Sequence, residues 1–243
     1  MEVAKIVPQF FYDVIARVIP GTAAIIGASV AMGYDIVNIT VAPFGGSTKL
    51  LNSSFFFVTM LFGYSYVAGH LINPLGDILR PLIEKLFPGQ FHILRTEIST
   101  ENGSLPENMR DLLAKETDMN DSCPVPDGTQ AQNKGIYTSL LFIWADWLRL
   151  ERPDVGARLV KLRAEYRMQI GLTVAATITL LLHVVSCLAY QYELNIILIV
   201  FSLCVVVLSS TGYAQSYGTF QWSVINNYYA AKCMPHPVPA RQD

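Results

Sequence analysis

The sequence predicts an all-α membrane protein: four transmembrane helices arranged as two hairpins, with a mainly helical cytoplasmic domain inserted between spans 2 and 3. Three observations predict it. Charged residues make up 15% of the 243 residues, against about 25% in an ordinary soluble domain. The stretches 14–34, 54–74, 170–190 and 194–213 carry almost no charge. Each is about 20 residues long, the length an α-helix needs to cross a hydrocarbon core of about 30 Å. Between the second and third of them lies a block that holds most of the Lys and Arg. The expected domains are 1–76, the first hairpin; 77–167, the cytoplasmic domain; and 168–243, the second hairpin with a helical cytoplasmic tail.

Span 1 opens with "FFYDVIARVIPGTAAIIG", residues 10–27. Asp13 and Arg17 are spaced i, i+4, so they share a helix face and can pair. Pro20-Gly21 follows. Proline removes one backbone hydrogen bond and is expected to kink the helix. Two readings stay open. The pair is a charged collar that fixes the depth of span 1, or it is a gate that opens when span 1 tilts about Pro20-Gly21. No basic segment with a short apolar core and an A-x-A site precedes it, so span 1 is expected to be retained rather than cleaved.

Span 2, "SFFFVTMLFGYSYVAGHLINP", carries His70 on its inner half. That residue is a candidate pH switch, or a hydrogen-bonding side chain facing a neighbouring helix. Spans 3 and 4, "IGLTVAATITLLLHVVSCLAY" and "LNIILIVFSLCVVVLSSTGY", contain no charged residue. Small residues recur four apart at Ala23, Gly27 and Ala31, at Ser65 and Gly69, and at Gly171 and Ala175. Such faces let helix backbones approach closely in lipid. Four spans make a thin bundle, so the span 1 face is expected at a subunit contact, or lining a central space, in a homo-oligomer. Span 4 lacks a small-residue face and is expected to face lipid. The segment beyond it, "AQSYGTFQWSVINNYYAAK", has helical spacing and should continue the helix.

Basic residues set the orientation. The block between spans 2 and 3 holds twelve, and Lys5, Lys232 and Arg241 lie in the tails. The loop between spans 1 and 2 holds Lys49 alone, and "QYE" joins spans 3 and 4. Both termini and the central block are therefore expected in the cytoplasm. Phe10, Phe11, Tyr12 and Tyr34 mark the ends of span 1, Tyr190 and Tyr192 the outer turn, and Tyr213 and Tyr217 the inner end of span 4. Amphipathic rings favour those levels.

In the central block "PLGDILRPLIEKLF" is amphipathic and ends at Pro88-Gly89. "LPENMRDLLAKE" reads as a helix with Pro106 in its first turn. "TDMNDSCPVPDGTQAQNKG" reads as a loop. "IYTSLLFIWADWLRL" is too short and polar for a span, and fits a core helix or one lying on the membrane surface. "PDVGARLVKLRAEYRM" should run unbroken into span 3, with Leu159, Leu162 and Tyr166 inward.

No constellation for catalysis emerges, so no enzyme activity and no cofactor is expected. "GGSTK" at 45–49 lacks the G-x-x-x-x-G-K-[ST] frame of a phosphate loop. His183 and Cys187 are spaced to share a metal, as are Cys233 and His236, but neither pair has a third ligand. The four cysteines show no paired spacing that would imply a disulfide framework. Asn38-Ile39-Thr40 and Asn52-Ser53-Ser54 are glycosylation sequons in the expected outer loop.

"FYDVIARVIPG" and "RLVKLRAEYRMQIGL" resemble the openings of the two hairpins in a diffuse group of bacterial four-span membrane proteins, over some 40 residues. Several members of that group are encoded with anti-phage defence systems, as membrane sensors or effectors paired with a soluble protein. The resemblance implies an oligomeric inner-membrane sensor or effector that works with a soluble cytoplasmic partner or signal, without binding nucleic acid directly. A small constitutive transporter or channel is the alternative.

Overall fold

A computed structural model describes residues 3–34, 54–91, 130–190 and 193–233, and the single positions 93, 107, 111 and 115. The described residues are 95% helical and include no strand. The helices are α1 (Val3–Ala31), α2 (Ser54–Leu86), α3 (Pro88–Phe91), α4 (Gln130–Glu151), α5 (Pro153–Tyr190) and α6 (Ile196–Cys233). Among the described residues, three helical segments are long and apolar enough to cross a membrane: Phe11–Ala31, Pro153–Tyr190 and Ile196–Lys232. The protein is thus a helical membrane-embedded chain. Helix α2 carries Tyr64, Ser65, Tyr66, His70 and Asn73 within its apolar run.

The chain divides into two compact units: Met1–Phe87 with Arg163–Ser216, and Pro88–Leu162 with Tyr217–Asp243. These limits differ from the expected 76/77 and 167/168. Helix α2 runs on to Leu86 with Pro74 and Pro81 inside it, so the first hairpin is longer than its apolar stretch. The end of α6 groups with the central block rather than with the second hairpin.

Helix ends follow local chemistry. Gly33 adopts φ 68°, the left-handed conformation that costs glycine least. Its N–H donates to Val30 O at 3.2 Å and that of Tyr34 to Ser29 O at 2.9 Å, closing α1 with a Schellman pair. Asn195 caps α6 by accepting the Leu198 N–H through Oδ1 at 3.0 Å. Pro153 starts α5, where a missing N–H costs nothing, and Asp154 stands in its first turn.

In the first unit α1 and α2 pair antiparallel. Arg17 lies against Gly69 and Gly21 against Ser65 and Gly69, and Thr22 Oγ1 donates to Ser65 Oγ at 2.8 Å. Helix α5 runs parallel to α1, with Gly171 against Pro20 and Thr179 against Gly27. Helices α5 and α6 are antiparallel: Thr173 and Ser209 hydroxyls lie 2.9 Å apart, and Gly212 abuts Gln169.

The second unit has its own core. Leu140, Leu141, Trp144 and Leu148 of α4 are buried, as are Phe220, Gln221, Val224, Ile225 and Tyr228 of α6. Trp144 stacks on Tyr228 at 4.7 Å between centroids. Gln221 Nε2 donates to Gln90 O at 3.2 Å and Phe91 O at 3.4 Å, which satisfies carbonyls at the end of α3. The stretch 136–150 thus supplies core residues to a helical unit. The stretch 117–135, expected as a loop, is helical from Gln130 onward, where α4 begins; its part 117–129, the GGSTK stretch, both sequons and His236 lie outside the described residues.

Candidate polar cluster on three helices

The approach of α1 to α2 is as close as two backbones allow. A Cβ added to Gly21 would stand 1.7 Å from Ser65 O, and one added to Gly69 would stand 2.0 Å from Arg17 O. Only glycine permits this spacing, as in small-residue crossings generally. On the other side Pro20 is fully buried, and a Cβ on Gly171 would meet its ring at 2.8 Å. Pro20-Gly21 therefore stands where α1, α2 and α5 converge.

One turn before it lies the cluster that this crossing assembles. Arg17 Nη2 pairs with Asp13 Oδ2 at 2.9 Å, with side-chain exposures of 19% and 42%. Arg17 Nη1 donates to Tyr66 Oη at 2.9 Å and meets His70 Nε2 at 2.5 Å. The guanidinium also lies over the Tyr66 ring, 5.6 Å from its centroid, a cation–π position. Tyr66 and His70 meet edge to face at 5.2 Å. Asp13 Oδ1 in turn faces Arg167 Nη1 of α5 at 3.6 Å. Arginine has donors only, so His70 receives its hydrogen bond as a neutral imidazole with the proton on Nδ1.

Two candidates that the sequence offered separately, the Asp13/Arg17 pair and His70, thus belong to one site. Tyr66 and Arg167 were not foreseen. Tyr66 was readable one turn before His70 on the same face, but nothing local tied either residue to Arg17. Arg167 stood out in the sequence only as a topology charge.

The small-residue face of span 1 is used differently from the expectation. A Cβ on Gly27 would stand 2.0 Å from Thr179 Oγ1, and Ala31 is 2% exposed. Gly27 therefore packs inside the chain, against α5. Ala23 is half-buried. Ser65 and Gly69 are buried against α1.

A second polar site lies at the far end of α5. His183 is 4% exposed. Its Nε2 accepts the backbone N–H of Asn195 at 3.1 Å, so the neutral ring protonates Nδ1. Nδ1 is enclosed and has no hydrogen-bond partner among the described residues. Cys187 Sγ lies 3.7 Å from Nε2 and 3.9 Å from Glu193 O. Among the described residues no group of three His, Cys, Asp or Glu is placed to hold a metal. His183 instead holds the residue that caps α6. Replacing it by Phe leaves that amide without its acceptor and should cost about 1 kcal/mol, whereas His183→Gln keeps an acceptor and should cost less. Thermal unfolding in detergent measures both, and equal losses would remove the clasp.

No protein-family model matches the chain, and neither a curated protein nor a solved structure matches it. The site's own chemistry carries the functional reading.

Proposed function

We propose that the chain is an inner-membrane sensor or effector, of the kind associated with anti-phage defence, that works with a soluble cytoplasmic partner or signal and has no enzyme activity of its own. The observation that supports it is the position of Arg17. One guanidinium ties α1 to α2 through Tyr66 and His70, and its carboxylate partner ties α1 to α5. Breaking one contact therefore loosens three helices together, which suits a two-state element better than a passive anchor. Helices α5 and α6 each belong partly to the second, separately cored unit. A signal received there has two continuous helices along which to act.

Antiparallel pairing of α2 along the apolar length of α1 supports four spans rather than three. The basic-residue asymmetry argues for both termini and the second unit being in the cytoplasm. A homo-oligomer would use faces left outward, such as Ile26 and Val30, because Gly27 is engaged within the chain.

A second reading, a small constitutive transporter or channel, draws on the buried hydroxyls of the first unit. Ser29, Ser65, Thr173, Thr179, Ser202, Ser209 and Ser210 are all buried there. Several already donate to the carbonyl four residues earlier, as Ser29 does to Ile25 O at 2.7 Å and Thr179 to Ala175 O at 3.0 Å. Such hydroxyls pack helices rather than line a path. The test is membrane potential and survival in cells that express the chain with its neighbouring genes, before and during phage challenge. A sensor or effector depolarises or protects only on challenge. Steady depolarisation or solute flux without challenge would favour the transporter.

A further inference from the structure

The Asp13 cluster holds more positive charge than negative. Arg17 and Arg167 share one carboxylate, and His70 accepts a hydrogen bond as a neutral ring. Among the described residues, Asp13 is the only acid paired with either arginine. The excess is one unit of positive charge. Asp77, exposed, follows Gly76, which packs on Ile170 of α5, but among the described residues it pairs with neither arginine.

The two arginines are not equally engaged. Arg17 directs donors at three partners. Arg167 is 38% exposed and reaches Asp13 only at 3.6 Å, and its guanidinium has five donors in all. The site also sits where charge meets hydrocarbon. Asp13 and Arg17 fall in the first turns of the apolar segment Phe11–Ala31, and Arg167 is the last charged residue of α5 before its apolar run. Ile15 and Ile19 on α1 and Val67 and Leu71 on α2 are exposed in the same turns. They offer the apolar surface that an acyl chain lies along.

We infer that Arg167, with Arg17 beside it, forms a headgroup site for an anionic phospholipid, whose phosphate binds Arg167 and completes the charge balance of the cluster. Charge complementarity selects an anionic headgroup over a zwitterionic one, because the latter brings its own cation. A guanidinium pairs with phosphate oxygens through parallel hydrogen bonds, and basic recesses between spans on the cytoplasmic side are suited to such headgroups. The flanking apolar residues favour a lipid over a free anion. The inference rests on the first unit lying in a bilayer and is independent of whether the protein senses or transports.

Native mass spectrometry of the full chain, equilibrated with equal phosphatidylglycerol and phosphatidylcholine, tests it. Wild type should retain phosphatidylglycerol preferentially, and Arg167→Gln should lower that occupancy about fivefold, as expected for one interfacial cation. Asp13→Asn removes the competing carboxylate and should raise it. The opposite signs separate a lost site from a damaged fold, which would lower both, and Arg158→Gln, outside the cluster, should change nothing. No lipid preference, parallel losses in both variants, or full displacement of the lipid by millimolar inorganic phosphate would each overturn the assignment.

Discussion

Gly21→Ala should destabilise the protein by about 3 kcal/mol, at the upper end of the range for overpacking. The added methyl would meet a backbone carbonyl, Ser65 O, at 1.7 Å. No rotamer relieves such a clash, so α1 and α2 must move apart. That movement strains the Thr22–Ser65 hydrogen bond and withdraws Tyr66 and His70 from Arg17. Gly63 is the matched control, with nothing within 4 Å of an added Cβ. Gly63→Ala should be neutral or slightly stabilising, because alanine favours helix over glycine. Thermal unfolding of both variants in one detergent makes the comparison. Equal stability of the two would contradict the crossing.

Asp13→Asn should harm stability and activity more than Arg17→Gln, and the double variant should recover part of the loss. Neutralising Asp13 leaves Arg17 and Arg167 adjacent without an anion. Neutralising Arg17 leaves Asp13 with Arg167. The double variant returns the cluster to its original net charge. The cost of Asp13→Asn is expected at about 1 to 2 kcal/mol. It is larger than for an exposed pair, because Arg17 is mostly enclosed, and smaller than for a fully buried one. Depolarisation or survival on challenge, normalised to membrane levels, reads activity. Equal activity in all three variants would reduce the cluster to an anchor at the membrane surface.

Much of the helical layout was legible because it is local. The Asp13/Arg17 pair follows from i, i+4 spacing, and the run of α5 through Arg167 into span 3 follows from continuous periodicity. The continuation of α6 through its aromatic tail was legible for the same reason. What escaped was pairing across long separations. Nothing near Arg17 announces His70, and the two meet because Gly21 and Gly69 let their backbones come together. The Gly27 face was recognised as a close-packing surface, yet a small-residue face does not name its partner. Thr179, itself bonded back to Ala175 O, occupies it. Gln221 was read only as part of the helical continuation of span 4, and the fold brings it to the α3 carbonyls. Helix α2 was read as a span from its near charge-free run of about 20 residues, which also carries polar residues. Those residues, Ser65, Tyr66 and His70, face α1 and build the site.

The central claim is that α2 crosses the membrane beside α1, so that the cluster is held within a four-span unit. Single cysteines at Ser47 and Thr129, in a background without accessible native thiols, test it most directly through labelling of intact cells with a membrane-impermeant maleimide. Four spans predict labelling of Ser47→Cys from outside, and of Thr129→Cys only after the cells are opened. If α2 does not cross, both positions lie on one side. Labelling of both from outside, or of neither, would contradict the account.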